Sequence, residues 1–221
     1  MEKEGAKMAK LVNVSKVELI SQLNQEVNIK DALTNEKEIR DALICDELIE
    51  DIDEERLEIN GCYFKNVIFT GCEFKNIDLL DVRFENCDLS NIDFSEGSIH
   101  RVELINCKLI GSNFSECNLQ NISFLESIVK YANFAYSKIK LVNFNRCNLE
   151  SAVFLESKFN KIAFNECNLE RCDFMNTSLK GLDFRDSQIC DILLTGKELN
   201  GAIISQMQAV ELIGLLGAIV R

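Results

Sequence analysis

Ten cysteines and one histidine, His100, are the residues of this 221-residue chain best suited to nucleophilic, redox or metal chemistry. A thiolate is a nucleophile and a soft-metal ligand, and two thiols in register can close a disulfide. Each use needs partners that the sequence does not supply. No Cys-x-x-Cys occurs and a second imidazole is missing, so no metal site and no cofactor is expected. Ser/His/Asp and Cys/His catalysis would both depend on His100 alone. The ten glycines form neither Gly-x-Gly-x-x-Gly nor Gly-Lys-Ser/Thr, so a phosphate-cradling loop is absent. These residues point to a protein that is not an enzyme, with no catalytic residues.

The cysteines have a different regularity. Cys62, Cys72, Cys87, Cys107, Cys117, Cys147, Cys167 and Cys172 all carry numbers that leave remainder two on division by five; only Cys45 and Cys190 do not. Every phenylalanine leaves remainder four. From Ile59 to Leu194 the remainder-four positions are twenty-eight consecutive apolar residues, with all fourteen Phe among them. At 47% hydrophobic content, chance would give such a run roughly once in a billion. The remainder-two positions, from Leu57 to Ile192, are uncharged throughout and mostly small or β-branched. The residue before the large apolar one is Asp or Asn in eleven of twenty-eight cases.

A period of five fits neither a helix nor a strand. One bulky and one small inward residue in every five describe a narrow coil, covered only by the coils above and below it. Phe64, Phe74, Phe94, Phe114, Phe134, Phe154 and Phe174 are expected in its core. The eight in-register cysteines then sit in the small inward slot, where a free thiol acts as a small hydrophobe. His100 follows the inward Ile99 and is expected on the solvated surface.

The motif small-(Asp/Asn)-(Leu/Phe)-x-x, as in Cys87-Asp88-Leu89-Ser90-Asn91 or Ala132-Asn133-Phe134-Ala135-Tyr136, resembles the pentapeptide-repeat proteins. The resemblance covers residues 57–203. It implies an all-β fold, a right-handed quadrilateral β-helix in which four pentapeptides form one coil. Twenty-eight repeats then give about seven coils and a rod of roughly 34 Å at the strand spacing of ~4.8 Å. Cys87/Cys107 and Cys147/Cys167 would stack in adjacent coils within disulfide reach, but with parallel Cβ vectors that disfavour bridging.

Both ends depart from the repeat. Residues 1–56 are expected to form a helical N-terminal cap or extension. Ser15-Lys16-Val17-Glu18 has the form of a capping box, and Leu19, Ile20, Leu23 and Val27 could line one helix face. A second helix is expected from Glu36 to about Ile49. Eight acidic residues against Arg56 between Asp46 and Glu58 read as a solvated linker into the first coil. Residues 204–221 are expected to hold a short C-terminal helix, with a capping box at Ser205-Gln206-Met207-Gln208. Its apolar side would carry Ala209, Leu212, Ile213 and Leu216.

Mapped onto a twenty-residue coil, the charges divide by face. One face carries Glu73, Asp93, Glu96, Glu116, Glu156 and Asp173 against Lys75. The next carries Arg101, Lys138, Lys140, Lys158, Lys161 and Lys180 against Asp78, Asp81 and Glu198. The tail from Leu199 to Val220 looks like that of Qnr-type quinolone-resistance members of the family. That likeness implies a homodimer through the tail and a rod that imitates duplex DNA toward type II topoisomerases, DNA gyrase and topoisomerase IV. The chain departs from that pattern in three ways. Residues 1–58 hold 16 acidic and 8 basic residues, most of the net charge of −12. One face is basic, and no loop interrupts the repeat. A scaffold for another protein partner stays open beside the topoisomerase reading. Direct nucleic-acid or membrane binding is not expected, and the composition and the lack of a signal-peptide core in Met1-Glu2-Lys3-Glu4-Gly5 point to the cytoplasm.

Overall fold

The computed structural model describes residues 11–25 and 27–216. The chain winds into a parallel β-solenoid. Three short strands, β1 (Glu38–Arg40), β2 (Leu43–Cys45) and β3 (Leu48–Glu50), pair with β4 (Glu58–Asn60), β5 (Tyr63–Lys65) and β6 (Ile68–Thr70), each residue facing the one twenty positions on. Five eight-residue strands follow: β7 (Asp78–Glu85), β8 (Ser98–Ile105), β9 (Asn118–Leu125), β10 (Lys138–Asn145) and β11 (Lys158–Asn165). The path β1-β4-β7-β8-β9-β10-β11 therefore advances by one coil at each step. Single bridges such as Asn168–Gln188, Asp173–Leu193 and Asp183–Ile203 continue the winding to residue 203.

Burial follows the five-residue register. All twenty-eight small slots from Leu57 to Ile192 are buried, and among the large slots only Phe159 and Leu194 are half-buried. The large slots stack their rings. Phe94, Phe114, Phe134, Phe154 and Phe174 form one column with centroids 5.0, 5.1, 4.9 and 5.2 Å apart. Phe124, Phe144 and Phe164 form a second, at 4.6 and 5.1 Å. Rings of the two columns meet edge to face, as Phe134 and Phe144 do at 6.0 Å and 81°. Offset stacking within a column and edge contacts between columns are the arrangements that the ring quadrupole favours.

The local chemistry explains the residue preferences. Small slots take Ser or Cys because the side chain donates to the carbonyl 23 residues earlier: Ser112 Oγ to Leu89 O at 2.7 Å and Cys117 Sγ to Phe94 O at 3.0 Å. Asp and Asn precede the large slot because their Oδ1 accepts from the backbone N–H two residues on. Asp93 does so from Ser95 at 2.8 Å and Asn133 from Ala135 at 3.0 Å. This is the local turn that these side chains make best.

The N-terminal expectation is corrected. No helix spans Glu36–Ile49; from Glu38 on these residues form β1 to β3, and the solenoid begins one coil earlier, with Ile39, Ile44 and Ile49 buried in large slots. Tertiary pairing with β4 to β6 overrides a pattern of Ile39, Leu43, Ile44 and Leu48 that looks helical. Nor is Ser15-Lys16-Val17-Glu18 a helix start, because residues 11–20 form no helix or turn. The cap on the first coil is short: α1 (Ile29–Asp31) runs into a wide helical turn, Ala32–Glu36, which buries Leu33 over the end of the core. At the other end Lys197 leaves its inward slot for a 3-10 turn, Lys197–Leu199. The expected capping box then forms, with Ser205 and Gln208 bonded reciprocally at the start of α2 (Gln206–Leu212). Residues 217–221, part of the expected tail, lie outside the described residues. No described helix is long and apolar enough to cross a membrane.

Candidate functional site

The outer wall of the solenoid presents columns of side chains at one-coil spacing. On the acidic face Glu73, Glu96, Glu116 and Glu156 are exposed. Glu96 pairs with Lys75 at 3.0 Å. Asp93 and Asp173 are half-buried and turn back onto the backbone, with Asp173 Oδ1 accepting from Met175 N at 2.8 Å. Asp93 also begins a side-chain ladder, accepting from Asn113 Nδ2 at 2.9 Å, while Asn113 accepts from Asn133 Nδ2 at 3.1 Å. Neutral Asn113, Asn133 and Val153 thus separate Asp93 from Asp173, and Tyr136 stands between Glu116 and Glu156 in their column. The carboxylates share one face, but their series is interrupted.

The basic face divides differently. Arg101 is committed to Asp81, with Nε and Nη2 at 2.7 and 2.5 Å. Lys138, Lys140, Lys158, Lys161 and Lys180 are exposed, and none of them forms an ion pair among the described residues. Lys138 and Lys158 are direct partners in the β10–β11 register. Like charges in adjacent strands repel, so this lysine group is a concentrated positive potential.

Sequence reasoning missed a third feature. Residues 12–18 cross the outside of the coils from Asn143 to Asp81, with no helix or turn among them. Val12 N–H donates to Asn143 Oδ1 and Val12 O accepts from Asn143 Nδ2, both at 2.9 Å. Ser15 N–H donates to Asn121 Oδ1 at 3.3 Å, and Glu18 N–H to Asp81 Oδ1 at 3.0 Å. Asp81, Asn121 and Asn143 occupy outward positions yet are buried to 6, 6 and 7% exposure. His100 belongs to the same cluster rather than to open solvent, since its Nε2 lies 3.1 Å from Asn121 Nδ2. Desolvation first, and Arg101 second, hold its imidazole below the usual histidine range.

The thiols occupy their register. Eight are buried, Cys45 and Cys190 are exposed, and all ten are free. Burial pushes Cys62 up to about 11 and Cys117 up to about 12, which keeps them as protonated thiols at neutral pH. Among the described residues no group of three or more His, Cys, Asp or Glu side chains converges on a metal position.

At the C-terminal end α2 lies on its own rod. Gln208 Nε2 donates to Phe184 O and Ser187 O at 2.7 and 2.8 Å, and Leu212 is buried. Ala209 and Ile213 remain exposed and, with Leu199, Ile204 and Leu212, line an apolar cleft of about 360 Å³. The side chain of Leu216 lies outside the described residues.

A solved structure of a trypsin-treated variant of QnrB1, a plasmid-mediated fluoroquinolone resistance protein, is 17% identical, with a TM-score of 0.48 over 81% of this chain and 100% of that one. HetL, a pentapeptide-repeat protein involved in heterocyst differentiation regulation in the cyanobacterium Nostoc sp., is 13% identical, with a TM-score of 0.36 over 84 and 98%. No curated protein sequence matches the chain. The family model described as a pentapeptide repeat region matches residues 57–134, 97–171 and 140–204, so the chain belongs to the pentapeptide-repeat family.

Proposed function

We propose that this protein is a non-enzymatic binding rod that engages a type II topoisomerase in place of DNA, through its acidic face. The observation that carries the reading is the set of exposed carboxylates Glu73, Glu96, Glu116 and Glu156, held by a stacked core on one side of a rod. A basic DNA-binding groove is built to read negative charge repeated along a cylinder. The apolar cleft at the C-terminal end supports a homodimer, because a second copy related by a two-fold axis would cover Ala209 and Ile213 without starting a fibre. A core filled by stacked, buried rings suits a binding module better than a catalyst.

A second reading is a scaffold for an acidic protein partner. The unpaired lysines at 138, 140, 158, 161 and 180 favour it, since a duplex imitation gains nothing from a positive face. A supercoiling assay with purified DNA gyrase distinguishes the two. Concentration-dependent inhibition supports the first reading; no inhibition and no binding to the enzyme leaves the scaffold. Sedimentation of the full chain tests the dimer, which should lose its second copy on Ile213→Asp.

A further inference from the structure

The segment 12–18 is held almost wholly through its backbone. Asn143 supplies one donor and one acceptor to Val12, the pair of bonds that a neighbouring strand would supply. Asn121 and Asp81 then take the N–H groups of Ser15 and Glu18. The spacing matches the solenoid. Three extended residues cover ~10 Å, and the two coils between Asn121 and Asp81 cover nearly the same distance. Val12, Val14 and Val17 are half-buried, whereas Asn13 and Lys16 are exposed. Recognition of this kind asks for an extended backbone and β-branched apolar residues, and little else about sequence.

We propose that Asp81 and Asn121, two coils apart in one column, together with Asn143 in the neighbouring column, form a binding site for an extended peptide strand, and that residues 12–18 are its built-in occupant, competing with an incoming strand from another protein. Two observations support exchange rather than a fixed seam. Asp81, Asn121 and Asn143 are polar, buried, and bonded to the backbone of the arm, so a second strand offering N–H groups at the same interval would satisfy them again. The tether is also slack. Between Glu18, over Asp81, and Asn24, whose N–H donates to Asp41 O at 2.7 Å, the chain descends two coils. Six residues can reach about 20 Å, against ~10 Å required. The proposal uses Asp81 of the basic face but none of that face's exposed lysines and none of the acidic face, and it stands apart from the topoisomerase reading.

The test uses the full chain and a fluorescein-labelled synthetic peptide of residues 11–20, read by anisotropy. Val14→Asp with Val17→Asp weakens the arm without touching the site; Asn121→Ala with Asn143→Ala weakens the site. Tryptic cleavage after Lys16 reports arm release, and both double variants should be cut there at least tenfold faster than the parent. The labelled peptide should bind the arm variant at least tenfold more tightly than the parent, and the site variant no better than the parent. Equal cleavage in all three proteins, no binding to the released-arm variant, or undiminished binding after the site substitutions would each overturn the proposal.

Discussion

Asn143 and Val12 are 131 residues apart in the chain and exchange two hydrogen bonds of 2.9 Å. The contact ties the N-terminal arm to the sixth strand of the path β1-β4-β7-β8-β9-β10-β11, so a segment before the first coil is fixed late in the winding. A solenoid normally couples each repeat only to its neighbours. Here Val12, Ser15 and Glu18 bridge several coils at once, which should make opening of β7 to β10 more cooperative.

The ring columns give the first quantitative expectation. Phe134 is fully buried, with Phe114 and Phe154 stacked on its two faces at 5.1 and 4.9 Å. Phe134→Ala removes both contacts and leaves a cavity that a stacked coil cannot collapse. Chemical denaturation should show a loss of ~3–5 kcal/mol. A loss below about 1 kcal/mol, typical of an arbitrary substitution, would contradict the packing.

Thiol accessibility tests the small slots. In the native protein a thiol reagent should label Cys45 and Cys190 and leave the eight buried cysteines unmodified. After denaturation without reductant, all ten should titrate. Fewer than ten would reveal a disulfide, with Cys87/Cys107 and Cys147/Cys167 the pairs to map first.

The repeat was legible because its large slot is nearly always Phe, Leu or Ile over twenty-eight turns of the pattern. The first coil was not, since Glu54 falls in a large slot and Glu47 in a small one, which breaks the run just where Ile39, Ile44 and Ile49 would have extended it. Leu43 and Leu48 then completed a false helical stripe. The arm was harder still. Ser15 and Glu18 spell a capping box, but their N–H groups are satisfied by Asn121 and Asp81, residues that no local pattern connects to them. The C-terminal box was readable because Ser205 and Gln208 satisfy each other locally.

His100 makes the arm sensitive to acid. Asn121 Oδ1 accepts from Ser15 N–H, which turns Nδ2 toward His100 Nε2, a contact that needs an unprotonated nitrogen. The groups around the ring are Arg101, Asp81, Asp78 and Lys140, and desolvation with Arg101 outweighs the carboxylates. The folded-state pKa is therefore below the ordinary 6.5. The unfolded chain binds the proton more readily, so the stabilisation is present above about 6.5 and is lost as pH falls through the folded value. His100 is the only histidine, so its proton resonances titrate without ambiguity. They should show a midpoint below 6.5, and cleavage after Lys16 should quicken over the same interval. His100→Gln should remove the change in cleavage rate; a pH response that survives the substitution would place its origin elsewhere.

The charged faces separate imitation of DNA from scaffolding. If Glu73, Glu96, Glu116 and Glu156 face a basic groove on the topoisomerase, replacing all four by Gln should weaken gyrase inhibition by an order of magnitude or more. It should also flatten the salt dependence, because steering between charges is screened over a Debye length of ~10 Å at 0.1 M. The fold should be indifferent to the change. These side chains are exposed, and only Glu96 gives up an ion pair, to Lys75, of a kind that contributes little at a surface. Replacing Lys138, Lys140, Lys158 and Lys161 by Gln is the opposing arm of the experiment. On the topoisomerase reading that change leaves inhibition intact or strengthens it, since it removes positive charge from a surface that must look like a polyanion. The reverse outcome, with the lysine variant losing its partner and the glutamate variant unaffected, would assign binding to the β10–β11 face and make the protein a scaffold for an acidic partner.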